Sequence, residues 1–297
     1  MTQHAKFNVR QFGFLLFLML PAVILLAVTI IGPLLNAISV SFQDYSLLSS
    51  EHKWNNFQNY IDILKSEDFY HSFGITLTYV FFAVGLDLLL GLGMALLLNQ
   101  QIKFRTFFRS IVMIPWAIPT IVTALIFLWI YQPDFGVLNY ALKSIGLIEN
   151  NITWLSSFDF ALGAIIAVAV FRQTPLVAVM LLAGMQNISR SLYEAAKIDG
   201  SGPFRILTSI TIPLLKPVIT SVTLMMIVQN FQMFTLFYTL TGGGPADATK
   251  SLAILTYEVA FERYDLGKGS AIGVIWLIVL LSFSVLFTRL MNRESHR

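Results

Sequence analysis

The sequence predicts an all-α membrane protein with six transmembrane helices. Of its 297 residues, 56% are apolar and only 12% are charged, which is about half the charged fraction of an average soluble domain. A helix needs about 20 apolar residues to cross a hydrocarbon layer of roughly 30 Å. Stretches of at least that length fall at roughly 12–40, 72–98, 110–131, 160–184, 217–240 and 269–290.

The first stretch could be a membrane helix or the core of a cleaved signal sequence. Lys6 and Arg10 precede it, and basic residues precede both kinds of segment. The apolar run continues past Pro21 and Gly32-Pro33, however, with no small-residue cleavage pattern, and it is too long for a signal core. We therefore expect a retained helix.

Lys and Arg indicate the orientation of the chain, because they accumulate on the cytoplasmic side of a membrane. With the N-terminus inside, twelve of the 19 basic residues are cytoplasmic: Lys6, Arg10, Lys103, Arg105, Arg109, Arg190, Lys197, Arg205, Lys216, Arg289, Arg293 and Arg297. The outer segments carry six: Lys53, Lys65, Lys143, Lys250, Arg263 and Lys268. Both termini are therefore predicted to be cytoplasmic.

The outer segments 41–71, 132–159 and 241–268 are rich in Trp and Tyr, which is typical of chain at a membrane interface. We expect short helices along the surface there. Glycines inside the apolar stretches predict close packing between helices, since small residues let helix backbones approach in lipid. These glycines are Gly85, Gly91, Gly93, Gly163 and Gly184.

Residues 189–217 read as two short helices that meet at a glycine. Ser191 and Glu194 have the spacing of a capping box, which would start the first helix. Gly200 is placed to end it, because glycine readily adopts the left-handed conformation common after a helix, and Pro203 suits the first turn of the second helix. Pro213 is then predicted to end the second helix before the fifth span.

This segment could simply be an amphipathic hairpin on the membrane surface. Alternatively, Tyr193, Ala195, Ala196 and Ile198 place apolar side chains on one short cytoplasmic element, which favours a surface that docks a partner protein.

The same segment resembles the EAA motif of binding-protein-dependent ABC importer permeases. That motif reads E-A-A, three residues, Gly, nine residues and I-x-[LI]-P, and it matches Glu194-Ala195-Ala196, Gly200, Ile210 and Pro213, with Ile212 where leucine is usual. Similarity to the sugar-transporting branch comes from Asp199, Pro115-Trp116-Ala117-Ile118-Pro119 and Thr241-Gly242-Gly243-Gly244-Pro245. The resemblance extends from about residue 12 to the C-terminus.

The resemblance implies the type I ABC importer permease fold. It divides the chain into a first helix and outer segment at 1–71, a transmembrane core at 72–290, and a cytoplasmic tail at 291–297. Within the core, the loop 189–217 would contain the coupling helix, which docks in a cleft of a separate ATPase subunit. The docking residues implied are Glu194, Ala195, Ala196, Asp199 and Gly200.

The resemblance also implies the partners of the chain. These are a second permease subunit, more often a sister chain than an identical copy, two ATPase subunits that bind ATP and Mg²⁺, and a periplasmic or lipid-anchored solute-binding protein. The chain itself has no phosphate-binding loop, because Gly267-Lys268-Gly269 lacks the earlier glycine and the following Ser or Thr. We expect no catalytic residue and no cofactor in this chain.

The sequence also argues against metal and nucleic-acid sites. The chain has no cysteine and four histidines, without ligand spacing. Its basic residues lie in short clusters between apolar stretches, which indicates contact with membrane lipid and no nucleic acid.

Polar side chains inside membrane spans mark candidate substrate contacts, because they are costly unless they pair or face a water-filled path. Gln229, Asn230 and Met233 form an amide-rich group in the fifth stretch, suited to a carbohydrate. In the family resembled, the third, fourth and fifth spans form the substrate cavity. The amides could instead join helices. Trp116 and Thr123 of the third stretch are further candidates.

Arg172, followed by Gln173, lies near the middle of the fourth stretch, and Asp87 lies near the middle of the second. Arg172 could bind an acidic sugar, since its guanidinium matches a carboxylate. It could instead form an ion pair with Asp87, or donate to a neutral sugar or to backbone carbonyls.

The sequence therefore predicts a permease subunit of an ATP-driven importer that moves a carbohydrate by alternating access, with an acidic sugar as one option. An ion-gradient-driven secondary transporter is the main alternative, and it gives no reason for the EAA segment. A membrane assembly factor is a third, and it leaves the amides of the fifth stretch unexplained.

Overall fold

The computed structural model describes residues 9–49, 53–100 and 103–295. Most of these residues are helical, and the strands among them form one two-stranded antiparallel sheet. Five helices are long and apolar enough to cross a membrane, and one bent pair could supply a sixth crossing. The prediction of an all-helical, multi-pass protein is confirmed. The predictions that involve His4, Lys6, His52, His296 and Arg297 concern residues outside these ranges.

The described helices are α1 (Val9–Leu26), α2 (Gly32–Val40), α3 (Gln58–Lys65), α4 (Glu67–Asn99), α5 (Arg105–Val112), α6 (Ile114–Ala117), α7 (Thr120–Ile130), α8 (Val137–Ser144), α9 (Ala161–Gln186), α10 (Arg190–Ile198), α11 (Pro203–Ile206), α12 (Ile212–Phe231), α13 (Thr235–Leu240), α14 (Leu252–Tyr257) and α15 (Leu266–Ser295). Wider π-helical turns lie at Ala27–Ile31, Leu207–Thr211 and Glu258–Glu262. Strands β1 (Gln43–Asp44) and β2 (Lys53–Trp54) pair with Gln43 opposite Trp54.

The chain forms two compact units. One comprises the described residues up to Lys65 together with Thr256–Leu277, and the other comprises Ser66–Leu255 and the described residues from Ile278 onward. In the first unit, Phe42 stacks on Trp54 and contacts Tyr60, so an aromatic cluster joins the small sheet to α3. The second unit contains both segments that the sequence selected as functional.

The predicted bounds of four spans agree closely with α1–α2, α4, α9 and α15. The outer segments contain the expected short helices α3, α8 and α14. Two of the five packing glycines are in tight contacts: a Cβ on Gly91 would lie 2.7 Å from Val177, and one on Gly184 would lie 2.8 Å from Leu215. Gly85, Gly93 and Gly163 have nothing within 4 Å of that position in the described part of the chain, so for them close packing stays a prediction.

The third predicted span is not one straight helix. The segment Arg105–Ala117 and helix α7 meet at an angle of 88°. Ile118, at the bend, has an extended backbone with ψ of 132°. The cause is local, because a proline such as Pro119 disfavours helical backbone at the residue before it.

The fifth predicted span is displaced toward the N-terminus. Helical structure runs without a break from Pro203 to Phe231, whereas the sequence predicted a helix end at Pro213 and a span at 217–240. The helix ends at Phe231, and Gln232 and Met233 lie in the break before α13.

A wider turn explains how the helix passes Pro213. The Ile212 N–H donates to the Leu207 carbonyl, five residues back instead of four. The same arrangement precedes Pro33 in the first span, where the Gly32 N–H donates to the Ala27 carbonyl. Because a proline ring clashes with the carbonyl four residues back in a regular α-helix, the added residue in the turn makes room for the ring.

Candidate functional sites

Helix α10 begins earlier than the sequence predicted. Ser189 has an extended backbone and precedes the first helical residue, Arg190, while its hydroxyl lies 2.8 Å from that of Ser191. Ser191 is therefore inside the helix, and the predicted capping box of Ser191 and Glu194 is wrong. The helix starts after Ser189 because the backbone of Ser189 is extended. The spacing of the polar residues in the sequence does not indicate this conformation.

Gly200 ends α10, as predicted. Its φ is +75°, a left-handed conformation that glycine adopts without steric cost. The Ser201 N–H donates to the Ala196 carbonyl at 2.9 Å, and the Gly200 N–H donates to the Lys197 carbonyl at 3.1 Å. These two bonds form a Schellman motif, which fixes the direction in which the chain leaves α10 and enters α11.

Four of the five predicted docking residues are accessible. Glu194, Ala195, Asp199 and Gly200 are exposed, and the neighbouring Ile198 is 86% exposed. Ala196 differs, since it is only 9% exposed and faces the interior of the chain. The structure thus presents Glu194, Ala195 and Ile198 outward and uses Ala196 for internal packing.

Asn230 is the centre of a buried hydrogen-bond network. Its Oδ1 accepts from the Tyr79 hydroxyl at 2.8 Å, and its Nδ2 donates to Gln173 Oε1 at 2.7 Å. Both Asn230 and Gln173 are almost completely buried, at 1% and 2% exposure. The network joins α4, α9 and α12, which is the helix-joining alternative of the sequence analysis.

The other predicted substrate residues lie in different surroundings. Gln229 and Trp116 are exposed, and Met233 is partly exposed in the break after α12. Thr123 is buried and donates to the Pro119 carbonyl at 3.4 Å, just beyond the bend of the third span. The accessible candidates are therefore Gln229, Trp116 and Met233, whereas the Thr123 hydroxyl is buried and bonds within its own segment.

Asp87 and Arg172 do not form the ion pair that the sequence left open. Asp87 is fully buried, and its Oδ1 accepts from the Thr174 hydroxyl at 2.8 Å, while its Oδ2 has no partner. Arg172 is partly exposed, and its buried Nε has no partner. Among the residues that the structure describes, Arg172 forms no ion pair.

Two residues of these networks, Tyr79 and Thr174, were not predicted from the sequence. Both are common in apolar helices, where a Thr hydroxyl usually bonds within its own helix and a Tyr marks an interface. The sequence did indicate that such partners exist, because Asp87 and Asn230 each require a polar partner within the membrane. The sequence does not show which hydroxyl reaches them.

Several membrane-spanning helices, a fixed exposed helix at the end of one span and polar networks deep in the bundle together define a membrane transport permease. The chain belongs to the family of binding-protein-dependent transport system inner membrane components, whose model matches residues 87–295. It is a multi-pass permease subunit of an ABC importer and not an enzyme. In the part of the chain that the structure describes, no group of acidic or histidine side chains could hold a metal ion.

Two relatives cover nearly the whole chain. The trehalose/maltose transport system permease protein MalF of Thermococcus litoralis is 36% identical over 289 residues, which are 97% of this chain and 96% of that protein. The sulfoquinovosyl glycerol transport system permease protein SmoG of Agrobacterium fabrum is 34% identical over 278 residues, 93% and 90% of the two chains.

The fold is also that of a solved transporter. A chain in the crystal structure of a bacterial alginate ABC transporter, in complex with an alginate pentasaccharide-bound periplasmic protein, matches with a TM-score of 0.84. The match covers 96% of both chains at 20% identity. It confirms the predicted type I ABC importer permease fold.

Proposed function

We propose that this chain forms part of the path for a carbohydrate and that α10 docks a separate ATPase subunit. The observation that carries the proposal is the exposed face of α10, with Glu194, Ala195 and Ile198, held at a fixed angle by the Gly200 turn. An exposed apolar side chain as large as Ile198 on a short, fixed helix favours a protein contact.

The helix that follows the turn gives the docking site a mechanical role. From Pro203 to Phe231 it contains 29 residues, about 44 Å at 1.5 Å per residue. Its far end carries Gln229 and Asn230. The docked ATPase subunits would move when they bind and hydrolyse ATP with Mg²⁺. The helix would transmit this movement from α10 to the deep polar residues. The path would then open alternately to the two sides of the membrane.

A carbohydrate substrate is supported by the relatives and by the accessible polar residues. The named relatives belong to trehalose/maltose and sulfoquinovosyl glycerol transport systems. Gln229, Met233 and Trp116 would contact the sugar directly, since amides and aromatic rings suit its hydroxyls and apolar faces. Asn230, Gln173 and Thr123 would position the helices that carry them.

Arg172 would contribute the charge selectivity of the path. With no ion pair to Asp87, its guanidinium is suited to a carboxylate or sulfonate on the sugar. This supports an acidic sugar as substrate, although a neutral sugar could also accept from the same donors.

The remaining partners follow from the family. We propose that the chain pairs with a sister permease subunit, that two ATPase subunits bind beneath the pair, and that a solute-binding protein delivers the sugar. Residues 1–71 would form the first helix and outer segment, residues 72–290 the transmembrane core, and residues 291–297 a cytoplasmic tail. Both termini would be cytoplasmic.

The docking proposal is tested by Ile198→Asp, with Ile145→Asp as matched control. Ile145 is 69% exposed and lies in the predicted outer segment. In proteoliposomes that contain the complete transporter, Ile198→Asp should abolish ATP-dependent uptake of labelled trehalose or alginate disaccharide and reduce ATPase co-purification. Ile145→Asp should leave ATPase co-purification intact. Equal recovery of the ATPase subunits with both variants would contradict the docking proposal. A secondary transporter would be favoured if uptake needs no ATP and stops when an uncoupler is added.

A further inference from the structure

A cavity of about 540 Å³ lies where four segments of the second unit meet. It is lined from the end of α4 by Asn99, from α5 by Arg105 and Arg109, from the end of α9 by Gln186, and from α10 by Arg190, Tyr193 and Lys197. Four of the lining side chains are cationic, and none of the described residues that line the cavity is Asp or Glu.

The four cations of this basic cavity are not neutralised within the described part of the chain. Arg105, Arg190 and Lys197 are exposed and form no ion pair there. Arg109 is partly buried: it donates to the Leu98 carbonyl at 3.4 Å and, in the amide orientation that satisfies both groups, to Gln186 at 2.9 Å. Its buried Nε has no partner. Glu194 is one helical turn from Arg190 and Lys197, but among the described residues it forms no ion pair with either and does not line the cavity. Four concentrated positive charges without a paired carboxylate indicate an anionic ligand.

The adjoining helix favours a ligand at the membrane surface. Arg105 and Arg109 are four residues apart and share one face of α5. Phe107 and Ile111 lie on the opposite face and are exposed. Basic residues on one side and apolar side chains on the other are the arrangement of helices that lie in the headgroup region of a bilayer.

The basic cavity lies on a different side of α10 from Ile198 of the proposed docking face, whereas Glu194 of that face adjoins it. Arg190, Tyr193 and Lys197 follow one another at spacings of three and four, so they share one face of the helix. At about 100° per residue, Ile198 lies about a third of a turn away from that face. An ATPase subunit docked on Ile198 would therefore leave the basic cavity open.

We propose that the basic cavity binds the phosphate of an anionic phospholipid, such as phosphatidylglycerol. The phosphodiester would be held between α5 and α10 by the four cations, with its acyl chains beside the apolar face of α5. Basic pockets at the ends of membrane helices recognise anionic headgroups in this way. A bound lipid would bridge α5 and α10. It would thereby restrict the position of the loop 189–217, which contains α10.

The test uses the complete transporter in nanodiscs with photoreactive phosphatidylglycerol or phosphatidylcholine, followed by mass spectrometry of labelled peptides. Phosphatidylglycerol should label the segments 99–113 and 185–198 in preference to phosphatidylcholine. Arg190→Gln and Lys197→Gln should each lower that labelling about fivefold, since a basic residue near the surface contributes on the order of 1 kcal/mol. Arg205→Gln is the control, because Arg205 is exposed in the same loop and does not line the cavity.

Each alternative has its own outcome. Equal labelling by the two lipids, or unchanged labelling in both cavity variants, would overturn the proposal. Full competition by millimolar inorganic phosphate would identify a free anion as the ligand instead of a lipid. Labelling that appears only after the ATPase subunits are removed would show that an acidic surface of the ATPase occupies the cavity.

Discussion

Replacing Asn230 with leucine should destabilise the bundle, because Asn230 joins three helices. Leucine has a similar volume, so the main loss is the hydrogen bonds to Tyr79, Gln173 and the Met226 carbonyl, at 2.8, 2.7 and 2.9 Å. The Tyr79 hydroxyl and the Gln173 carbonyl would be left buried without a partner. A buried unpaired group costs about 1–3 kcal/mol, whereas hydrogen bonds between membrane helices average about 0.6 kcal/mol. For two groups we therefore expect a total loss of about 1–6 kcal/mol.

A double-mutant cycle with Tyr79→Phe measures the interaction directly. Tyr79→Phe alone should cost about 1 kcal/mol, and it should cost little in the presence of Asn230→Leu, because the hydroxyl then has no partner to lose. Apparent unfolding midpoints of the purified transporter, followed by tryptophan fluorescence, should fall by about 2 °C per kcal/mol. Gln229→Leu is the matched control, since this amide is exposed. Strictly additive effects, or an equal loss in Gln229→Leu, would refute the network.

Three further predictions concern single sites. Gly91→Ala should lower the unfolding midpoint while Gly85→Ala does not, because a Cβ meets a valine of α9 at 2.7 Å only at position 91; equal midpoints would contradict this. Gly200→Val should strain the left-handed turn by about 1–2 kcal/mol and reduce ATP-driven uptake in inserted protein; normal uptake would show that the turn is not needed for coupling. Arg172→Gln should selectively impair uptake of an acidic disaccharide, and Asp87→Asn should not restore it; restoration would reveal an ion pair.

The sequence was most informative about the long helices. Hydropathy alone predicted both ends of α9 and the C-terminal end of α4 to within a few residues. The start of α4 was predicted too late, because Glu67 and Asp68 extend the helix beyond its apolar stretch. Acidic residues are favourable in the first turn of a helix, because they interact with its positive end. A criterion based on apolar length excludes them, so the span appeared shorter than the helix.

Proline was the main source of error about helices. The sequence identified the residues Pro115 to Pro119 as a family element but gave no angle, since a proline can either kink a helix or end it. The structure has a sharp bend before Pro119 and an unbroken helix through Pro213. Ile118 before Pro119 is extended, whereas a π-helical turn precedes Pro213. The presence of a proline in the sequence does not show which of these two backbone conformations forms.

The candidate sites were predictable to different degrees. The Gly200 turn is local, so its chemistry could be read from neighbouring residues. The partners of Asp87 and Asn230 are instead 87 and 151 residues distant in the chain, at Thr174 and Tyr79. Such pairs depend on the rotation of each helix about its axis, and apolar spans have too little polar periodicity to define that rotation.

The wider turn before Pro213 connects these observations. A helix that ended at Pro213 would leave the Gly200 turn and Asn230 on separate segments, and a flexible joint between them would absorb any displacement of α10. Because the π-helical turn at Leu207–Thr211 accommodates the proline ring, the helix continues to Phe231. Asn230 then fixes the far end of this helix to α4 and α9 through two hydrogen bonds. In the proposed coupling, a displacement of the Gly200 turn would reach α4 and α9, which carry Asp87 and Arg172, through one continuous helix from Pro203 to Phe231.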